Sequence, residues 1–304
     1  MRRALVTGAN KGIGFAIAER VLEEAEDTFV FLGSRDRNRG EAAAGSLRKA
    51  NEDRANRIQA VEIDVASDES VRIAATQVRA ACEDDKLYGI VNNAGVGLGS
   101  DDLRGVLNVN THGIKRVCDG FIPILGDGGR IVNITSAAGP NFVSTCSQEK
   151  QAFFTNSEIT WDEIDALMNE CEDIADDEEA LSSRGLGDGS AYGLSKACSN
   201  AYTRYLAREH AQFVVNACTP GFIHTDLTRE YEARSGKTPE ELGMKSPRDG
   251  ATSAMFLLFG EPEGSGHYYG SDAKRSPLDR YRAPGSTPYS GDRQNSNPEK
   301  SWVG

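Results

Sequence analysis

Short apolar runs of strand length recur along the chain, separated by stretches with helical periodicity. The runs are Ala4 to Val6, Thr28 to Leu32, Ile58 to Val65, Leu87 to Val91, Arg130 to Thr135, Phe213 to Cys218 and the weaker His267 to Gly270. Strands that read as near-continuous apolar runs are buried on both faces, and regular alternation with helices implies right-handed crossovers and a parallel sheet. The pattern predicts a doubly wound α/β domain with a seven-stranded, mostly parallel sheet over residues 1–272. Such sheets bind their ligands beyond the carboxyl ends of the strands.

At the first of those ends, Ala4-Leu5-Val6 runs into Thr7-Gly8-Ala9-Asn10-Lys11-Gly12-Ile13-Gly14 and then an amphipathic stretch from Phe15 to Leu22, which reads as strand, glycine turn, helix. Glycines permit the tight turn and let backbone N–H groups and the helix N-terminus approach a pyrophosphate, whose charge the helix dipole favours. This is the layout of a Rossmann-type dinucleotide site. Polar residues collect at the other strand ends: Ser34 and Arg35, Asp64-Val65, Asn92-Asn93-Ala94-Gly95, Ser136, and Pro220-Gly221.

Farther along, Tyr192-Gly-Leu-Ser-Lys196 sets a phenol and an ammonium four residues apart in a helical pattern, and so on one helix face. A free tyrosine has a pKa of about 10, and a neighbouring cation favours its phenolate. The pair is expected to serve as a proton donor at physiological pH. The spacing alone is common on solvated helices; the glycine turn in the same chain gives it chemical meaning.

Composition narrows the field. With 304 residues, 38% of them hydrophobic, the chain can bury a substantial core. Six scattered cysteines without a Cys-x-x-Cys pair, and four dispersed histidines, support neither a disulfide scaffold nor a metal site. A net charge of −12 argues against nucleic acid or an anionic membrane as partner. Much of it is local, since residues 151–183 hold eleven acids and no Lys or Arg. There is no apolar run near membrane-spanning length, and a first strand beginning by Ala4 leaves no room for a signal or transit peptide. The expected location is cytoplasmic. Residues 273–304, rich in Pro, Ser, Arg and Asn, cannot build a core and are expected as a polar tail, with Trp302 suited to anchor it.

Thr7 to Gly14, the polar strand ends, Asn110 and Tyr192/Lys196 fall in an order that resembles the short-chain dehydrogenase/reductase family over about residues 4–270. The resemblance implies that Tyr192 donates the proton to a substrate carbonyl oxygen and that Ser136 hydrogen-bonds the same oxygen. It implies that Lys196 holds the nicotinamide ribose and lowers the tyrosine pKa, and that Asn110, in Asn108-Val109-Asn110-Thr111, orders a water linking the lysine to solvent. Its cofactor contacts fall on Gly8, Asn10, Lys11, Gly12, Ile13, Gly14, Arg35, Asn92, Ala94, Gly95, Tyr192, Lys196, Pro220, Gly221 and Ile223. Asp64 and Val65 match its adenine contacts, and Thr225 its contact near the nicotinamide phosphate.

The charges indicate which nicotinamide. An NAD enzyme places a carboxylate after the second strand for the ribose 2′-hydroxyl, whereas a 2′-phosphate needs cations. Ser34 holds that position here, Arg35 follows, and Lys11 adds a second positive group, so the expected cofactor is NADPH. Arg35 can stack on adenine and fork onto phosphate. Asp36 runs against this charge pattern, and Arg39 lies near.

Ser136 and Tyr192 stand 56 residues apart, where most of the family has little more than a dozen. The intervening insertion, about 141–189, contains Thr160-Trp161-Asp162-Glu163, a capping-box pattern opening a helix whose apolar side is Trp161, Ile164, Leu167, Met168 and Cys171. With Asn216-Ala217-Cys218-Thr219-Pro220-Gly221 it resembles the monomeric carbonyl reductases, which implies a monomer. Thr219 and Phe222 depart from that group, which has cysteine and tryptophan there. Residues 222–245 read as a substrate lid, ending at Ser246-Pro247, the start of a helix from Arg248 to Phe259. The expected function is NADPH-dependent reduction of ketones, aldehydes or quinones in a pocket formed by Ser136, Tyr192 and Phe222. Two alternatives stand beside it: a selective alcohol dehydrogenase of specialised metabolism, and an NADP(H)-binding sensor without chemistry. The partner is a small carbonyl compound, and no metal is implied.

Overall fold

Each apolar run becomes a strand, and successive residues serve opposite faces of one sheet. In the computed structural model, which describes residues 1–83, 85–98, 102–175 and 178–291, the strands are β1 (Arg2–Val6), β2 (Thr28–Ser34), β3 (Ile58–Glu62), β4 (Leu87–Asn92), β5 (Leu125–Ile134), β6 (Val214–Cys218), β7 (His267–Tyr269) and β8 (Arg275–Ser276). Their order is β3-β2-β1-β4-β5-β6-β7-β8, with every pair parallel except the last. The direction of winding reverses between β1 and β4, so a crevice opens at their carboxyl ends.

The helices are α1 (Gly12–Glu24), α2 (Arg37–Ala50), α3 (Asp68–Cys82), α4 (Leu103–Leu107), α5 (Gly113–Phe121), α6 (Ala138–Thr145), α7 (Gln148–Thr155), α8 (Trp161–Asp173), α9 (Glu178–Ser183), α10 (Ala191–Glu209), α11 (Arg229–Ser235), α12 (Pro247–Gly250) and α13 (Thr252–Phe259). Leu5, Phe31, Ile90 and Ile131 face one apolar layer with α3, α5 and α10, while their neighbours Val6, Leu32, Val91 and Val132 face the other with α1, α2 and α13.

The sheet has eight strands where the apolar runs indicate seven. β8 is a polar dipeptide with no strand signal of its own, and tertiary pairing creates it: Tyr268 and Tyr269 pair with Ser276 and Arg275. A half-buried ion pair between Arg282 and Asp272 then fastens the chain that follows. Trp302 and the rest of the tail beyond residue 291 lie outside the described residues.

Between β5 and α10 the chain inserts α6 to α9. The capping box at Thr160 and Glu163 is formed, and Ile164, Leu167, Met168 and Cys171 are buried against α10 and its neighbours. Burial of each large apolar side chain contributes about 1.5–3 kcal/mol, which outweighs any repulsion along the acidic outer face of α8. Trp161 meets His112 and Tyr202 edge-on at 5.6 and 5.5 Å, and the Lys115 ammonium lies 5.2 Å over its ring. These contacts join the insertion to α10 and to a π-helical turn, Asn108–His112, that links α4 to α5.

Candidate active site

The glycine turn is built around two side chains that tie β1 to β4. The Thr7 hydroxyl oxygen accepts from the backbone N–H of Asn93 at 3.0 Å and of Ala94 at 3.1 Å. The Asn93 amide donates to the carbonyls of Thr7 at 2.9 Å and Gly8 at 3.2 Å. Gly8 and Gly12 take φ of 62° and 59°, a conformation that glycine adopts without strain. At Gly14 a Cβ would stand 2.4 Å from the Asn93 amide nitrogen and 2.6 Å from the Gly8 carbonyl oxygen, so only glycine fits.

α1 begins here without a side-chain cap, whereas Asp36, Ser67, Thr160 and Ser190 cap α2, α3, α8 and α10. Its first N–H groups therefore face the crevice, and an anionic group with several acceptor oxygens fits them. A dinucleotide pyrophosphate suits this cradle.

The remaining expected cofactor residues are engaged in different ways. Arg35 is exposed and makes no ion pair among the described residues. Asp36 accepts from the Arg39 backbone N–H at 2.8 Å, so its carboxylate is used as the cap of α2 and Arg39 contributes only its backbone. Lys11 is engaged: its ammonium lies 2.5 Å from Asp226, which also pairs with Arg229. Thr225 borders Gly12, where a Cβ would lie 3.6 Å from its methyl group. Buried Ile223 bridges Lys245, so the 222–245 segment leaves and returns at one point. Asp64 accepts from the Ala66 N–H at 3.0 Å, and Val65 packs against Gly113. The Asn92 side chain turns into the core, donating to Asn133 at 2.8 Å. Its neighbour Asn93 makes the link to the glycine turn.

α10 carries Tyr192 and Lys196 on one face, as the spacing requires. The Lys196 ammonium donates to the Ile134 carbonyl at 3.2 Å and lies 5.5 Å from the centre of the Tyr192 ring. The residue is only 3% exposed, and burial pushes its pKa down to about 8. Tyr192 is also buried, and burial raises its phenol above the ordinary value while a hydrogen bond with Ser136 pulls it back. The expectation that Lys196 lowers the tyrosine pKa is therefore not met in the protein alone: the ammonium sits over the ring and is bonded to a carbonyl, and desolvation dominates.

Asn110 occupies the π-helical turn. Its amide group exchanges two 3.0 Å bonds with the backbone of Val96 and donates to Ser195 at 3.0 Å, and its carbonyl accepts from Ser199 at 2.8 Å. A Cβ on Gly95 would lie 3.4 Å from Asn110 Oδ1 and 3.5 Å from Lys196 Nζ, which puts both groups around one backbone position. The structure thus brings Asn110, Ser136, Tyr192 and Lys196 together. In front of Ser136 is a cavity of about 180 Å³ reached by Pro140, Gly221 and Phe222. Arg280, Tyr281 and Arg282 contribute to its wall.

Sequence reasoning missed Asn93, Ser195, Ser199 and the three C-terminal wall residues. The Asn92-Asn93 pair carried a signal for the first, since neighbouring residues of a strand point to opposite faces. No local pattern marked the wall residues.

Residues 2–149 match the family model for short chain dehydrogenase. The chain is 32% identical over 274 residues to (+)-neomenthol dehydrogenase of Arabidopsis thaliana, covering 81% of this chain and 90% of that protein. The chain belongs to the short-chain dehydrogenase family. It is also 32% identical over 267 residues to NADPH carbonyl reductase 3 of Rattus norvegicus, covering 81% of this chain and 92% of that one. Among solved structures, salutaridine reductase from Papaver somniferum aligns with a TM-score of 0.73 and 25% identity, over 88% of this chain and 99% of that one. This short-chain dehydrogenase is accordingly an oxidoreductase that uses a nicotinamide cofactor. Among its described residues no helix is long and apolar enough to cross a membrane, and no group of His, Cys, Asp and Glu could hold a metal ion.

Proposed function

We propose that this protein is an NADPH-dependent carbonyl reductase acting on ketones, aldehydes or quinones. The meeting of Asn110, Ser136, Tyr192 and Lys196 beside an uncapped glycine cradle carries the reading. The bound cofactor supplies the hydride. Tyr192, kept protonated at neutral pH by burial, gives its proton to the carbonyl oxygen. The Ser136 hydroxyl donates to the same oxygen as negative charge develops there. Lys196 is still largely charged at neutral pH and stabilises the phenolate left behind, and Asn110 beside it orders the water that returns a proton.

Two observations favour NADPH over NADH: Arg35 is exposed without an ion-pair partner among the described residues, and Asp36 is spent on the helix cap. The Lys11–Asp226 pair is exposed, worth about 0–1 kcal/mol, and exchanges readily for a phosphate. Six buried free thiols suit a reducing cytoplasm, and α8 packed on α10 suits a monomer.

The test is NADPH oxidation against quinones, diketones and aldehydes by wild type and Tyr192→Phe. Turnover should fall at least a hundredfold in the variant with cofactor affinity retained. Survival within tenfold would sink the mechanism. A second reading, a selective alcohol dehydrogenase, is favoured by the likeness to (+)-neomenthol dehydrogenase and by the small cavity. One sharply preferred substrate in the panel would decide for it.

A further inference from the structure

We propose that Arg280 and Tyr281 select the substrate, and that it is an aromatic aldehyde or ketone carrying a carboxylate at the end of the ring remote from the carbonyl. The inference rests on the carbonyl reductase reading and adds the substrate class. Ser136 and Arg280 line the same cavity of about 180 Å³ although they stand 144 positions apart in the chain. A cavity of roughly 150 Å³ accommodates a benzene ring, so one ring with small substituents spans this space.

Two aromatic side chains of its lining remain open to solvent. Phe222 and Tyr281 stay 38% and 53% exposed although both line the cavity. Phe222 is held edge-on to Tyr231, with ring centres 5.5 Å apart. Large apolar side chains left open around one cavity mark a binding surface for a flat apolar body.

The two arginines of the wall differ in what they have left to give. Arg282 is consumed by the frame, bonding Ser276 and the Ser286 carbonyl at 3.0 Å each and pairing with Asp272. Arg280 bonds the adjacent Asp279, with both bonds, at 2.9 and 3.1 Å, leaving from Nη1, and its guanidinium lies 5.7 Å over the Tyr289 ring. Its Nη2 and Nε have no acceptor among the described residues. A pair between exposed sequence neighbours holds weakly, whereas a carboxylate entering the cavity can take the free edge of the guanidinium through two parallel bonds. In a chain of net charge −12, this is the group that makes an anionic substrate acceptable.

The test compares 4-formylbenzoate with its methyl ester, using NADPH and wild type, Arg280→Gln and Arg280→Lys. The ratio of kcat/KM for acid over ester, taken on one preparation so that loss of folded enzyme cancels, should fall about tenfold in Arg280→Gln and recover in part in Arg280→Lys. In parallel, the product 4-(hydroxymethyl)benzoate is titrated calorimetrically onto the NADP⁺-loaded protein, and its Kd should weaken about tenfold in Arg280→Gln. A ratio that moves less than twofold, or a product affinity that is unchanged or undetectable in wild type, overturns the inference. If neither the acid nor the ester is reduced, the carbonyl reductase reading fails, and the titration still decides the role of Arg280.

Discussion

Replacing Lys196 with methionine should make the protein more stable and nearly inactive. In the folded chain the ammonium titrates at about 8 against an ordinary 10.5, with burial as the cause. Holding that proton below pH 8 costs about 3 kcal/mol at about 1.4 kcal/mol per pKa unit. The sign follows from proton counts. Between pH 8 and 10.5 the unfolded chain binds more protons at this residue than the folded one, so stability rises with pH across that window. Below it both states are charged and the whole cost stands. Methionine has similar reach and no charge, can set its sulfur beside the Tyr192 ring where the ammonium lay, and forfeits the bond to the Ile134 carbonyl, about 1 kcal/mol. The net gain at pH 7 is about 2 kcal/mol, read as a shift in the urea midpoint of the cofactor-free protein. Near pH 10 about 1 kcal/mol of the cost remains in wild type, the lost hydrogen bond offsets it, and the two proteins should unfold together. NADPH-dependent turnover falls about a hundredfold or more at every pH. A variant less stable than wild type at pH 7, or a gap that does not close as pH rises, would refute the reasoning.

Two further outcomes test the cofactor cradle. Arg35→Ala should lower the preference for NADPH over NADH in kcat/KM by about tenfold, since a charge-assisted bond to phosphate contributes about 1.5–3 kcal/mol; an unmoved preference places the 2′-phosphate elsewhere. Gly14→Ala drives a methyl group to 2.4 Å from the Asn93 amide and should cost about 2–3 kcal/mol in thermal unfolding together with NADPH affinity. Gly45→Ala, in α2 with nothing within 4 Å, should instead stabilise by about 0.5–1 kcal/mol, and the reverse order of the two variants would contradict the packing argument.

The parts of this protein legible in its sequence are those governed by local periodicity. Seven strands announce themselves because residues buried on both faces must be apolar, the glycine turn because only glycine takes φ near 60° without strain, and the Tyr192–Lys196 pairing because a helix returns to one face every four residues. The capping box at Thr160 belongs with them, since its two bonds lie within three residues. What tertiary structure alone decided involves groups brought together from distant parts of the chain. The depressed charge of Lys196 depends on how completely β5 and the Gly95 backbone enclose it. That Asn93 rather than Asn92 reaches the glycine turn depends on which way β4 ends. The β8 pairing and the Arg280–Tyr281 wall depend on a polar segment folding back over β7. Such contacts follow from burial and three-dimensional proximity, which have no period along the chain.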